Sequence, residues 1–437
     1  MNHTQSRREF LAASSAALLA SAIPSMAASS DASKLALHGG PKAVKVAPKS
    51  VRRWGEPELE RLKAMLEQDT LFYWKGPQTE LALERFKKIY PFKWAHTCTS
   101  GTAAIHIAVN AAGIGPGDEV ITSPITDIGT VIGVIYQMAV PVFADLGRCT
   151  YNLDPADVER RITQKTKAII AVHLCGNPCD MYALKAIADK HKLVLIEDAC
   201  QAWGAKYRGK PIGTVGHIAC WSLQQTKHIT TGDGGIVASG DERFGPLLQR
   251  CGDKGADRLG GGGFRMFATN YRMNEPTAAV FAAQLQRLEG VASKRARLGN
   301  LLTEKIRDIP GILPHQVHPE DRCVYWFYFM RFEPKAFRCN REGLVKALVA
   351  EGVQCSAGYI KVPLYREPVF QNHGFFAGRW PVRELGLTDM DYSKVHLPEV
   401  EAILENGIRF TIHEGMTEDY ILGVAEAVRK VAKHYAV

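Results

Sequence analysis

Between Ala103 and Ala238, short apolar runs alternate with helix-like segments, and this alternation constrains the fold more than any other feature. Ala103–Ala112, Thr130–Met138, Pro155–Ile162 and Tyr182–His191 carry helical patterning. Glu119–Thr122, Pro141–Ala144, Ala168–His173, Leu193–Glu197, Ala219–Ser222 and Ile236–Ala238 are runs of strand length. Strands that are apolar along their length are buried on both faces. That implies an α/β fold: a mostly parallel sheet with helices packed on each side. Ligands of such sheets gather beyond the carboxyl ends of the strands, so the polar residues that follow these runs are the candidates for chemistry.

Around Ser293–Arg297 the pattern changes to a long charged helix. Beyond it, Tyr325-Trp326-Phe327-Tyr328-Phe329 and a final helix over Thr417–Lys433 suggest a smaller α+β domain. The expected division is an N-terminal arm with the large domain over 28–290, and the small domain over 291–437. A length of 437 residues with 46% hydrophobic and 23% charged content accommodates that division. The formal net charge of +9 is spread without a basic block, which argues against a nucleic-acid binder. Four consecutive glycines in Leu259–Phe264 read as a flexible loop rather than a phosphate cradle, because no strand precedes them.

Residues 1–27 stand apart. Ser6-Arg7-Arg8-Glu9-Phe10-Leu11 is followed by an uncharged Ala/Ser/Leu run, then by the small-x-small site Ser25-Met26-Ala27. This is the layout of an export signal of twin-arginine type. It predicts a periplasmic or extracellular protein, or a cytoplasmic one if the signal is not functional. The ten cysteines lie in a chain too large to need a disulfide framework, and several fall in apolar runs, so they read as buried thiols. His173-x-Cys175-x3-Cys179 lacks a second ligand pair at zinc-like spacing, so no metal is expected.

Four segments carry chemistry. Ser100-Gly101-Thr102-Ala103-Ala104 opens a helix, either as an anion site or as an ordinary cap. Glu197-Asp198-Ala199-Cys200-Gln201 follows a strand, which sets a carboxylate over the ligand crevice or caps the next turn. Lys227 lies five residues past the strand-end Ser222 and just before the glycine-rich return Gly232-Asp233-Gly234-Gly235. A lysine there either forms a Schiff base, which requires a depressed pKa, or is a solvated charge. Thr269-Asn270-Tyr271-Arg272-Met273 is a polar loop suited to facing a partner subunit.

Together these segments resemble the DegT/StrS-type sugar aminotransferases, a pyridoxal phosphate-dependent group of fold type I. The likeness runs from about Gly76 to the C-terminus and includes Gly76-Pro77, Gly117-Asp118-Glu119-Val120, Gln284-Leu285 and Ile412-His413-Glu414-Gly415-Met416. It implies a seven-stranded-type sheet and a role for each site residue. Lys227 would hold pyridoxal phosphate and move the proton between substrate and cofactor. Asp198 would pair with the pyridine nitrogen and Gln201 would lie near the ring hydroxyl. Gly101, Thr102 and Ser222 would hold the phosphate. Asn270 would reach it from the neighbouring subunit, which requires a homodimer with active sites at the subunit interface. The implied donor is glutamate or glutamine. The implied acceptor is a keto-sugar or keto-cyclitol, either nucleotide-linked or free. Leu35-Ala36-Leu37-His38-Gly39-Gly40-Pro41 is similar to the start of the scyllo-inosose branch. Sugar dehydration or epimerisation, or an exported binding protein without turnover, are the alternatives. One departure stands out: in Pro124-Ile125-Thr126-Asp127-Ile128, Asp127 occupies the place where the family commonly stacks an aromatic ring on the cofactor.

Overall fold

The computed structural model describes residues 32–258 and 260–437, so the export-signal segment lies outside the described residues. The central sheet has seven strands in the order Trp94–Cys98, Gly235–Ser239, Ile218–Ser222, Val194–Asp198, Thr166–Val172, Glu119–Thr122, Val140–Phe143. Gly235–Ser239 alone runs against the other six. The expected elements are present, with ends moved by a few residues: helices span Gly101–Ala111, Gly129–Tyr136, Pro155–Arg160 and Met181–His191. Asp198 is the last residue of its strand rather than a residue beyond it.

Period-two alternation shows why the strands read as apolar throughout. Along Thr166–Val172, Ala168, Ile170 and Val172 enter one apolar cluster, and Ile169 and Ala171 enter the other. Each face is covered, the first by helix Gly101–Ala111 and the second by elements that include Leu184 and Ile187 of helix Met181–His191. After the loop Thr269–Met273 comes a helix over Glu275–Gln284 capped by Asn274, whose side chain accepts from the Thr277 N–H. A short tight turn over Leu285–Arg287 follows, and then the long helix Leu288–Ile306. That helix leads from the region of the seven-stranded sheet to that of the four-stranded one, and residue 290 lies in its first turn.

The small domain is an antiparallel sheet of Ile312–Leu313, Tyr328–Phe332, Gly407–Phe410 and Cys355–Ala357. Leu288–Ile306, Arg341–Ala350 and Glu418–Tyr435 pack on it, with Thr417 capping the last helix. The N-terminal arm, grouped by sequence with the large domain, packs along the small one. Leu35 and Val44 join the small-domain core, and buried Glu351 accepts from the N–H groups of Ala36 (2.7 Å) and Ala43 (2.9 Å). All ten cysteines are free thiols and seven are buried. His173 has both ring nitrogens engaged, Nε2 with Glu197 (3.1 Å) and Nδ1 with the Cys179 N–H (3.1 Å), which makes it part of the core.

Candidate active site

A cavity of about 470 Å³ opens at the carboxyl ends of the parallel strands. Its lining unites Gly101, Thr102, Asp198, Gln201, Ser222 and Lys227, contributed by three separate segments. Asn270 is not among the lining residues. It is exposed, in the stretch where the Thr99 N–H donates to Tyr271 O (2.9 Å).

The anion end is the start of helix Gly101–Ala111. Ser100 Oγ accepts from the Ala103 N–H (3.0 Å), and the first intrahelical bond runs from the Ala104 N–H to Ser100 O (3.0 Å). Ser100 is thus a true cap, and the amides of Gly101 and Thr102 remain as the orphan donors every helix start possesses. Close approach is built in: a Cβ on Gly101 would lie 2.6 Å from Ser222 Cβ and 2.9 Å from Cys200 Sγ. Only glycine lets the helix start come this near the strand end.

Asp198 is buried in the cavity wall. Thr130 Oγ1 donates to its Oδ2 (2.8 Å) and the Cys200 N–H to its Oδ1 (3.1 Å). Thr126 and Thr130 hydroxyls bond each other at 2.8 Å, which extends the chain of support. Gln201 turns its Oε1 to the Cys175 N–H (3.0 Å), leaving its amide group for the cavity.

Lys227 is only 7% exposed, which removes its reading as a solvated charge. Burial pushes its ammonium below the ordinary lysine value, against the opposing pull of Cys200, Asp198 and Asp127. Its Nζ lies 3.8 Å from the centroid of the Trp326 ring. The loop that carries it leaves the sheet at Ser222 and returns at Gly235, and these two residues pair across neighbouring antiparallel strands. Arg53, from the N-terminal arm, donates to the carbonyls of Gln225, Lys227 and His228. Trp326 Nε1 donates to Thr226 O (2.8 Å). The lysine therefore sits on a loop fixed from three sides.

Asp127 does line the cavity, with Oδ1 accepting from the Gly129 N–H (2.8 Å). The aromatic rings of the cavity come instead from the small domain, as Trp326 and Tyr359, and with them comes Arg409. None of these three, nor Arg53, emerged as a site residue from the sequence. No motif spacing ties them to the lysine, and the aromatic run around Trp326 reads only as a mark of the smaller α+β domain.

A buried lysine with a lowered pKa, a carboxylate beside it and an anion cradle at a helix start define the class. This is the arrangement of an α/β protein whose buried lysine is suited to chemistry on carbonyl or amino compounds. The profile of the DegT/DnrJ/EryC1/StrS aminotransferase family matches residues 53–429. A putative L-glutamine:3-amino-2,3-dideoxy-scyllo-inosose aminotransferase from Micromonospora echinospora is 33% identical over 386 residues, covering 85% of this chain and 90% of the relative. GDP-perosamine synthase from Caulobacter vibrioides is 34% identical over 341 residues, covering 78% and 86% respectively. Among solved structures, an aminotransferase from Psychrobacter cryohalolentis superposes with a TM-score of 0.79 at 28% identity, over 89% of this chain and 100% of that one. The chain belongs to the DegT/DnrJ/EryC1/StrS aminotransferase family and is an enzyme, an aminotransferase.

Proposed function

We propose that this enzyme uses pyridoxal phosphate to move an amino group from glutamine or glutamate to a keto-sugar or keto-cyclitol, and that it works as a homodimer. The observation that carries the reading is the buried Lys227 in one cavity with Asp198 and the helix start at Gly101. The donor set fits the cofactor: orphan amides for a phosphate, a buried carboxylate for a protonated pyridine, and a lysine whose charged form burial disfavours for a carbonyl carbon.

When bound, pyridoxal phosphate supplies the electron sink that makes a donor Cα proton acidic. The residues do the rest. Gly101, Thr102 and Ser222 would hold the phosphate end, and Asp198 would favour a proton on the ring nitrogen. Gln201 would offer its amide to the ring hydroxyl. Lys227 would hold the cofactor through its amine and would serve as the base that carries a proton to and from the donor Cα.

Asn270 reaches the phosphate of a second copy's site. Its surroundings support that role: Phe72, Phe264 and Phe267 are exposed apolar rings on the same chain, of the kind an interface covers. The two relatives named above support a cyclitol or sugar acceptor. A twin-arginine-type signal over residues 1–27 favours an acceptor free of a nucleotide, since nucleotide-linked sugars are scarce outside the cytoplasm. The test is the visible spectrum of the purified protein with pyridoxal phosphate. A yellow band that bleaches with glutamine or glutamate and is lost in Lys227→Ala is expected. A band that ignores both donors would sink the reading.

A further inference from the structure

Asp127 lines the cavity, yet the proposed function leaves it without a task. The fold holds it in place. Pro124 O accepts from the Leu364 N–H (3.0 Å), and Asp127 O from the Thr130 N–H (3.1 Å). Its Oδ1 accepts from the Gly129 N–H (2.8 Å). A Cβ on Gly129 would lie 2.9 Å from that oxygen and 2.5 Å from Thr102 Oγ1, so the carboxylate and Thr102 flank the same glycine. Among the described residues Asp127 forms no ion pair, and its Oδ2 makes no hydrogen bond. A charged group beside a phosphate seat is repelled by the phosphate, and that cost is offset when a ligand brings donors to it.

The charge of Asp127 reaches two other lining residues. Burial pushes the Tyr359 hydroxyl up and the Asp127 charge adds to that rise, while the same charge opposes the fall at Lys227. The rings on the small-domain side are packed together: Tyr359 lies 4.9 Å from Phe327 and 5.7 Å, edge to face, from Trp326. Aromatic faces and a free carboxylate oxygen in one cavity suit a polyhydroxylated ring. The faces cover its C–H surface, and the carboxylate, an acceptor only, takes its hydroxyls. Hydrogen bonds to an ionised oxygen are among the strong ones.

We infer that Asp127 accepts hydrogen bonds from hydroxyls of the acceptor's ring and so selects a polyhydroxylated acceptor. This rests on the aminotransferase reading above. The hydroxyls belong either to a free ring or to a nucleotide-linked one, and unreactive ligands separate the two. The cofactor-loaded wild type, Asp127→Asn and Asp127→Ala are each titrated by calorimetry with scyllo-inositol, with uridine diphosphate glucose, and with streptamine, a diamino cyclitol. Donor bleaching of the cofactor band by L-glutamine and L-glutamate is followed in parallel. Asp127→Asn keeps an oxygen for the Gly129 N–H, and with it the loop, and loses only the charge. The scyllo-inositol dissociation constant is expected to rise on the order of 10- to 100-fold in Asp127→Ala, and by less in Asp127→Asn. The half-bleaching donor concentration should move less than that constant does. A loss confined to uridine diphosphate glucose supports the contact and assigns it to a nucleotide-linked ring. A loss confined to streptamine overturns the inference, because the carboxylate then serves an ammonium group. Equal binding of all three ligands, or none, in wild type and both variants overturns it as well, and a wild-type band that still bleaches leaves the aminotransferase reading standing. A wild-type band that ignores both amino acids overturns that reading, and this assignment with it.

Discussion

The two sides of the active-site cavity come from different kinds of structure. One side is the large-domain floor, where Gly101, Thr102, Asp198, Ser222 and Lys227 sit at or just beyond strand ends. The other is the small-domain wall, where Trp326 precedes the strand Tyr328–Phe332, Tyr359 follows Cys355–Ala357 and Arg409 lies within Gly407–Phe410. Floor residues are placed by a sheet buried on both faces; Trp326 and Tyr359 flank strands of the second sheet and pack against the large core that the two sheets share. The difference teaches a division of labour. Under the proposed function the floor would carry the cofactor chemistry and the wall would meet the substrate, with Trp326 joining the two through its contact with Lys227 and its bond to Thr226.

The comparison breaks most visibly at Lys227. Lys227→Ala is expected to abolish the cofactor band and lower turnover by roughly 10⁴-fold or more, measured by single-turnover kinetics. Asp198→Asn should keep the lysine-linked cofactor yet lower the donor half-reaction by about 10²–10³-fold, because a developing charge loses its partner. If Asp198→Asn reacts at wild-type rate, the floor is not where the electronics are set. A wall change should behave differently: Trp326→Ala should leave the band in place and raise the half-saturating donor concentration about 10-fold. Equal loss of band and binding in that variant would erase the distinction.

The smallest effect near neutral pH concerns stability, and it compares the two domains' cores. Burial pushes His96, in the outer strand of the large domain, down to about 4, and His315, in the small domain, down to about 3. Both stay neutral in the folded chain while the unfolded chain takes up protons below about 6.5. Stability is therefore full above that value and falls as the pH drops toward 4, with the His315 contribution continuing toward 3. Urea unfolding at pH 7 and pH 4.5 should show a loss of a few kcal/mol. His315→Leu should flatten part of that slope. A slope unchanged in the variant would exclude His315 as its source.

The floor was legible in the sequence and the wall was not. Asp198 could be placed because the apolar run before it ends abruptly in two carboxylates, and a parallel strand delivers such a residue to the crevice. Ser222 and Lys227 were flagged by the glycine-rich return that follows them. Asp127 stood out as a departure from a pattern, and it does line the cavity. Trp326, Tyr359 and Arg409 belong to an antiparallel sheet whose only local signals are burial and pairing. Their arrival at Lys227 depends on how two domains meet across helix Leu288–Ile306, and no spacing along the chain encodes that. Arg53 escaped for the same reason: it reaches the lysine loop across more than 170 residues of sequence.

The antiparallel pairing of Ser222 with Gly235 has a consequence for how the enzyme meets its cofactor. The lysine loop is a ring stapled at its mouth, so the entropy of closing it is met when the sheet forms. The clamp from Arg53 and the bond from Trp326 then remove most of what freedom remains. Under the proposed function, Lys227 is positioned by its own fold, and capture of the cofactor would be a docking event with little chain left to order.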